Sequence, residues 1–538
     1  MSLPRNIPAA WSQPACITHF RASFLCILKE NLNEGLNLGN KARVALVYFR
    51  ENYTPAPPMG ILYIGTILAR AGFDVKVIDS FPGFNEGNIK RICDFKPDLI
   101  GISVLTTGHR IAANYTRVLK EALPRARVCW GGVHASAIPT QILQTEPVDF
   151  VVIGEGEETM LEVCSRLSED NNVNLEGIKG VVYKSKNGII ANERRDLIQN
   201  LDSLPIPNRR LLESPSYGWY ISPPGIIRGK FFKGITTFYT SRGCPYNCIF
   251  CCSHETMGRK VRQRSVANVL EEIRYLRKEF NVKGLYFNDD IFGVDKKWVK
   301  DFCEKLQREE YDLVWGCQTR ANLVDRALLK EMKAAGCVQV DIGCESGSRK
   351  VLKNLKKEIE VEDIIQAFEC AQDVGIETFS TFIIGNPGEQ MEDIYETEKL
   401  ARRINSRVSF LILVPYPGSE LFEMAKKNNW LLDKELHFAE NWMTRQSENP
   451  VMEINIKSGE LLRIRARLQN EYFWKNNLKI FASFIAHPAY LFKIIFACSR
   501  HSGEISKTLL VSIRQKKTSI FLEAVYQKFN EELMKSYA

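Results

Sequence analysis

No stretch of this chain stays apolar long enough to cross a membrane. The nearest candidate, residues 478–499 (LKIFASFIAHPAYLFKIIFACS), is broken by Lys479, His487, Pro488 and Lys493, well short of about 20 apolar residues in a row. Residues 1–40 contain no uninterrupted apolar run and no clear cleavage site, so no signal peptide is expected. An arginine-rich run with interleaved aromatics is also missing, which argues against a nucleic-acid partner. No self-repeating period suggests a solenoid. The 15 cysteines are an odd number and scattered, among them Cys93, Cys129, Cys164, Cys303, Cys317, Cys337 and Cys344. They do not spell a disulfide framework. Many lie in apolar runs and read as small buried hydrophobes in a reducing, cytoplasmic setting.

What is present fits a globular protein of several domains. A length of 538 residues suggests three or four, and 45% hydrophobic with 25% charged residues is ordinary. From residue 41, short apolar runs alternate with helical segments. Residues 44–48 (VALVY), 74–78 (DVKVI), 98–103 (DLIGIS), 127–130 and 150–153 read as buried parallel strands, with helices at 60–71, 89–95 and 112–123. This alternation predicts an open, doubly wound α/β domain, which binds ligands outside the carboxyl ends of its strands. The loops there are Pro57-Pro58-Met59-Gly60, Ser103-Val104-Leu105-Thr106, Gly131-Gly132-Val133-His134 and Gly154-Glu155-Gly156-Glu157. Glycine at such a place lets a large flat ligand approach the backbone. A connector at 161–233 holds a hairpin around Lys186-Asn187-Gly188 and a proline-stiffened linker at 202–207.

A second block runs from 234 to 435. Strand-like runs at 234–239, 285–288, 313–318, 338–342, 378–385 and 408–414 alternate with helical stretches at 269–280, 298–308, 325–335, 361–374 and 392–404. Six such units predict a partial barrel, open on one side for a large substrate. At the C-terminal end of its first strand, where barrel enzymes keep their chemistry, stands Ser-Arg-Gly-Cys244-Pro-Tyr-Asn-Cys248-Ile-Phe-Cys251. Three thiolates at this spacing suit an iron–sulfur cube of four irons, with one iron left open. A structural zinc would need a fourth ligand nearby, for which Cys252 or His254 is available. The strand before and the helix after argue against zinc.

With aromatic Phe250 just before its last cysteine, the run resembles the signature of radical S-adenosylmethionine enzymes. Taken with the upstream loops, the chain resembles those members in which a cobalamin-binding domain precedes the barrel. The resemblance covers about residues 41–435. It implies a [4Fe-4S] cluster on Cys244, Cys248 and Cys251, whose open iron chelates the amino and carboxylate groups of S-adenosylmethionine. Electron transfer, fed by a reductant such as flavodoxin or ferredoxin, would then release a 5′-deoxyadenosyl radical. An unactivated C–H bond has no acidity for a base to exploit, so a hydrogen atom must be taken instead. By the same resemblance, Asp289 and Asp290 form the acidic element near the methionine amine, one of them merely capping a turn. Arg320 would hold the methionine carboxylate, Glu345 the ribose hydroxyls, and the turn at Gly385 the adenine side, with Phe250 packed against the adenine. The corrinoid would rest on Pro58, Gly60, Ser103, Gly131, Gly132, His134, Gly154 and Glu155. The cobalt-ligating pattern Asp-x-His-x-x-Gly does not occur. His134 is therefore expected to face the corrinoid without binding cobalt, with His109 and His134 as ligands the alternative.

The chain then divides into an N-terminal extension (1–40), a cobalamin-binding domain (41–165), a connector with hairpin (166–232), a radical S-adenosylmethionine barrel (233–435) and a basic, mainly helical C-terminal region (436–538). The implied function is C-methylation of an unactivated carbon through methylcobalamin. Oxidative cyclisation or ring rearrangement of a tetrapyrrole, without methyl transfer, is the alternative. A non-catalytic corrinoid or redox sensor is a third reading, against which the complete cysteine triad speaks. Of the net charge of +9, residues 457–538 carry +8, from 14 Lys and Arg against 6 Asp and Glu. That tail reads either as a cap on the open side of the barrel or as an interfacial helix. In the second case it would touch a membrane and admit a bulky, poorly water-soluble substrate.

Overall fold

The computed structural model describes residues 41–49, 57–80, 85–169, 174–212, 225–227, 230–232, 234–433 and 450–485. Strands β1 (Arg43–Phe49), β2 (Asp74–Ser80), β3 (Leu99–Ser103), β4 (Arg127–Gly131) and β5 (Phe150–Val152) pair in parallel in the order β2-β1-β3-β4-β5. They are buried on both faces, with Val44 and Leu46 on one side and Ala45 and Val47 on the other. That is why they read as continuous apolar runs rather than alternating ones. The strand order reverses between β1 and β3, so the loops after these two strands diverge and open a crevice at the C-terminal edge. Strands β6 (Val181–Ser185) and β7 (Gly188–Ala191) form the expected hairpin. It does not stand in a separate connector. β6 pairs antiparallel with β5, buries Val181 and Val182, and extends the first sheet past residue 165.

After a short hairpin, β8 (Gly225–Ile227) and β9 (Lys230–Phe232), the second sheet begins at β10 (Ile235–Phe238). The antiparallel pair β11 (Ser241–Arg242) and β12 (Arg262–Gln263) brackets the cysteine loop. β13 (Gly284–Phe287), β14 (Val314–Thr319), β15 (Cys337–Glu345), β16 (Glu377–Ile384) and β17 (Arg407–Ile412) complete six parallel strands in the order β10-β13-β14-β15-β16-β17. This is the partial barrel expected from the sequence. Side-chain caps fix where its helices begin. Ser265 accepts from the Asn268 amide, Asp295 from Lys297 and Trp298, and Asp325 from Leu328. Along the strands, buried Phe287, Cys317, Val340, Phe382 and Phe410 alternate with half-buried Tyr286, Gln318, Asp341, Thr381 and Ser409. The helices cover the first set, so the second faces the barrel lumen. The lumen is polar where many barrels pack branched apolar residues. Tyr286 donates to Asp341 at 2.5 Å, Gln339 donates to the other Asp341 oxygen at 2.8 Å, and Arg407 donates to Gln339 at 2.8 Å.

Two features brace the barrel. Arg209, fully buried ahead of the barrel, donates to Thr236 at 2.6 Å and to the Thr237 carbonyl at 2.9 Å, and pairs with Glu272 at 3.3 Å. At the other end, helix Ser458–Ile485 lays Leu461, Ile464, Leu468 and Tyr472 as a buried helical stripe along β17. This helix also touches β9 of the short hairpin. Residues 1–40 and 486–538 lie outside the described residues, and so do the side chains of the apolar stretch 478–499. Among the described residues no helix is long and apolar enough to cross a membrane.

Candidate active site between two sheet edges

The C-terminal edges of the two sheets face each other across a cavity of about 580 Å³, a size common for ligand and cofactor sites. One wall carries Pro58 and Gly60 after β1, Ser103 and Leu105 after β3, Gly131 and Gly132 after β4, and Gly154 and Glu155 after β5. The opposite wall carries Tyr239, Arg242, Phe250, Cys251, Cys252, Asn288 and Asp290. Two loop sets more than 80 residues apart in sequence thus serve one space. Glycine is required at Gly132, where φ is +87° and a Cβ would lie 3.1 Å from both Ser103 Oγ and the Val104 carbonyl oxygen. The backbone wall left by these glycines is the kind of cradle a flat corrin ring needs.

Two of the residues expected at the corrinoid have side chains engaged within the protein. His134 is 1% exposed and lies off the cavity wall. Gly132 turns the chain inward, and helix Val133–Ala137 carries His134 into the domain. Its Nδ1 lies 3.0 Å from Thr106 Oγ1 and its Nε2 lies 2.9 Å from His109 Nδ1. His109 in turn reaches Glu146 at 3.1 Å, and Arg117 closes the chain on Glu146 at 2.8 Å. Burial, with His109 beside it, holds the His134 imidazole well below its ordinary pKa, so it is neutral. No histidine of the described residues lines the cavity.

Glu155 reaches the cavity rim, but its carboxylate is already engaged. One oxygen accepts from Arg242 at 2.6 Å, and the other from Arg262 at 2.7 Å and from the Ile198 amide at 2.8 Å. Glu157 takes the second nitrogen of Arg242 at 2.7 Å. All four side chains are buried. Glu155 therefore braces the first domain against the strands that bracket the cysteine loop.

The cysteines Cys244, Cys248 and Cys251 are half-buried in that loop, with the Cys251 amide donating to the Cys248 carbonyl at 3.1 Å. Gly243 precedes them at φ +90°, where a Cβ would meet the Lys260 carbonyl oxygen at 2.4 Å. Among the described residues no three His, Cys, Asp or Glu side chains converge on a single-ion site. Burial and the neighbouring Cys251 push the Cys252 thiol up to about 12.

Around the loop, the two aspartates divide their work. Asp289 is fully buried and accepts from the Thr240 amide at 2.7 Å, from Ser241 Oγ at 2.9 Å and from Thr240 Oγ1. Burial raises its carboxyl to about 6. Asp289 is the turn-closing member of the pair, and Asp290 is the one that faces the cavity. The Arg320 guanidinium stacks 3.5 Å over the Tyr246 ring. One of its nitrogens donates to Cys248 Sγ at 3.6 Å and another to the Lys357 and Glu358 carbonyls, while Nε is buried without a partner. Glu345 ends β15 and pairs with Lys357 at 2.6 Å. Gly385 does not line the cysteine cavity. It turns at φ +86° with Leu461 of the C-terminal helix 3.0 Å from where a Cβ would sit, in a separate recess with Glu389 and Met452. Lys357 and Arg262 carry no sequence signal, whereas Arg242 and Tyr246 lie inside the cysteine signature itself.

Known proteins match both walls. Residues 46–164 match the model of the B12 binding domain and residues 238–401 that of the radical SAM superfamily. An uncharacterized methyltransferase of Pyrococcus horikoshii is 34% identical over 459 residues, covering 84% of this chain and 92% of that protein. The chain belongs to the cobalamin-dependent radical S-adenosylmethionine methyltransferase family. Its cofactors are accordingly a [4Fe-4S] cluster, S-adenosylmethionine and cobalamin. Another relative, the anaerobic magnesium-protoporphyrin IX monomethyl ester cyclase of Rubrivivax gelatinosus, is 29% identical over 68% of this chain and 66% of its own. Among solved structures, the cobalamin-dependent S-adenosylmethionine radical enzyme OxsB, with aqua-cobalamin and S-adenosylmethionine bound, shares the fold. Its TM-score is 0.67 at 18% identity, over 92% of this chain and 80% of that one. The glycine loops and the cysteine loop of this family member meet at the cavity described above.

Proposed function

We propose that this enzyme methylates an unactivated carbon of a small-molecule substrate bound between the corrin cradle and the barrel mouth. The observation that carries the reading is the single cavity shared by the glycine loops and the cysteine loop. Bound there, the cluster and S-adenosylmethionine supply a hydrogen-abstracting carbon radical, and cobalamin supplies the methyl group. The chain's residues hold and orient. Cys244, Cys248 and Cys251 ligate the cluster, Asp290 meets the methionine amine, and Glu345 takes the ribose hydroxyls with Phe250 against the adenine. Arg320 serves from the side of Cys248, and the turn at Gly385 lies behind the adenine side. Pro58, Gly60, Ser103, Gly131, Gly132 and Gly154 would form the corrin floor, a wall on which no histidine of the described residues stands.

The polar lumen row of Gln318, Asp341 and Arg407 gives a substrate hydrogen-bonding partners, and a reductant such as flavodoxin or ferredoxin delivers the electron. A peripheral membrane contact through residues 478–499 would suit a poorly soluble substrate, and co-sedimentation with anionic liposomes across a salt series tests it. Cyclisation without methyl transfer is the second reading, favoured by the cyclase relative. Anaerobic turnover with candidate extracts decides between them. Methylation yields 5′-deoxyadenosine and S-adenosylhomocysteine together, whereas 5′-deoxyadenosine alone supports cyclisation.

A further inference from the structure

The barrel lumen has an apolar floor. Ile235 and Val338, with Val314 packed against them, form a small cluster of their own near the N-terminal ends of β10, β15 and β14. Above this floor the inward-facing residues turn polar. Tyr286 and Gln339 come first, both in register with Gly316. Asp341 and Arg407 follow, both in register with Phe379. The next layer is Gly343, Thr381 and Ser409, small side chains that leave room between Arg407 and the mouth. Strand rise puts the mouth, where Glu345 ends β15, roughly 13 Å above Asp341.

Hydrogen bonding in this cup runs one way and stops at a cation. Tyr286 and the Gln339 amide nitrogen each donate to Asp341, on different oxygens. With its nitrogen so engaged, Gln339 turns its oxygen to Arg407 at 2.8 Å. Among the described residues that neutral oxygen is the one acceptor the guanidinium has, and Arg407 forms no ion pair. Its Nε is buried without a partner. The Phe379 ring backs the group, 5.6 Å from the guanidinium carbon. A guanidinium carries five N–H donors in a planar fork, and holding it away from water with most of them unspent is costly until an anion arrives. Asp341 does not fill that role, because both of its oxygens are already taken.

We propose that the substrate is an acid, and that Arg407 anchors its carboxylate or phosphate group in the lumen while the carbon to be methylated stands at the mouth. The Nε edge of the guanidinium gives such a group a bidentate seat. The depth of the cup sets the spacing, with the anionic group on the order of 10 Å from the reacting carbon. Gln339, held by Asp341 and through it by Tyr286, is a positioning residue that fixes the fork. The inference rests on the methylation reading above and adds to it the chemical class of the substrate.

The probe is an extract of the source cells, separated on an anion-exchange column at neutral pH. The readout is S-adenosylhomocysteine formed anaerobically by the full-length, cofactor-loaded enzyme. Substrate activity should reside in the retained fractions. Phosphatase treatment should abolish it if the group is a phosphate, and carbodiimide amidation if it is a carboxylate. Arg407→Met should raise the amount of active fraction needed for half-maximal rate at least tenfold, with a smaller change in the maximal rate. Arg407→Lys, which keeps the charge and loses the fork, should recover part of that loss. The purified active material should also raise the thermal midpoint of the wild-type protein but not that of Arg407→Met. Substrate activity in the unretained fraction, or activity that survives both treatments, overturns the proposal and leaves the methylation reading standing. Half-saturation of Arg407→Met within twofold of wild type, or an equal rise in its midpoint, overturns it as well. The chromatography needs no variant, so it decides even where Arg407→Met fails to fold. If the wild-type enzyme forms no S-adenosylhomocysteine from any fraction, the methylation reading falls and this proposal with it.

Discussion

Glu155 offers a stringent test of how the two halves of the site are held together. It is shared between Arg242 and Arg262, whose side chains are 6% and 2% exposed. Removing one partner from a buried ion pair costs about 3–5 kcal/mol, chiefly because the other charge is left buried without compensation. Here part of that loss is covered. Arg242 keeps Glu157 at 2.7 Å, and Arg262 keeps the carbonyls of Ile198 and Met257, each at 2.7 Å. Glu155→Ala should therefore cost about 3 kcal/mol, the low end of that range. Glu157→Ala leaves Arg242 still held by Glu155 and should cost about half as much. Arg242 is two residues ahead of Cys244, so the same change should also lower the iron and sulfide content of reconstituted protein. Urea unfolding and iron analysis of the three proteins measure both effects. A loss below about 1 kcal/mol for Glu155→Ala, or a larger loss for Glu157→Ala, would refute the brace.

Replacing Cys244, Cys248 or Cys251 by Ala should abolish 5′-deoxyadenosine formation, whereas Cys252→Ala should keep the cluster; a full cluster in Cys248→Ala would overturn the ligand assignment. In the cob(II) form, spectra should show no hyperfine splitting from a protein imidazole, and His134→Ala should leave them unchanged while lowering stability by about 1–3 kcal/mol through the loss of its buried hydrogen bonds with Thr106 and His109. Burial lifts the Glu389 carboxyl from 4.5 to about 7, so the folded chain binds a proton there that the unfolded chain releases. Stability should fall as pH rises through that window, and Glu389→Gln should flatten the slope in thermal melts; an unchanged slope would remove Glu389 as its source. Gly343→Ala should weaken S-adenosylmethionine binding, because its methyl group would take the place of the Glu345 carboxylate; equilibrium binding checks this, and an unchanged Kd would contradict the geometry.

The sequence by itself determined the two sheets and the cysteine loop. Runs such as VALVY and DLIGIS need no partner to be recognised as strands buried on both faces, because their composition reflects that burial. The run Cys244, Cys248 and Cys251 is legible because all three cysteines lie on one loop, where spacing in the chain is spacing in the site. Other roles depend on partners far away in the chain and only the tertiary structure decided them. Whether Glu155 meets a cofactor or an arginine depends on Arg242 and Arg262, which lie 87 and 107 residues further on. Which way His134 faces depends on the positive φ of Gly132 and on His109, 25 residues earlier. The hairpin's place in the first sheet depends on the free edge of β5, and the partner of Glu345 is a lysine that only the fold brings to it. Local pattern records which side chains are buried, and it carries no record of what they are buried against.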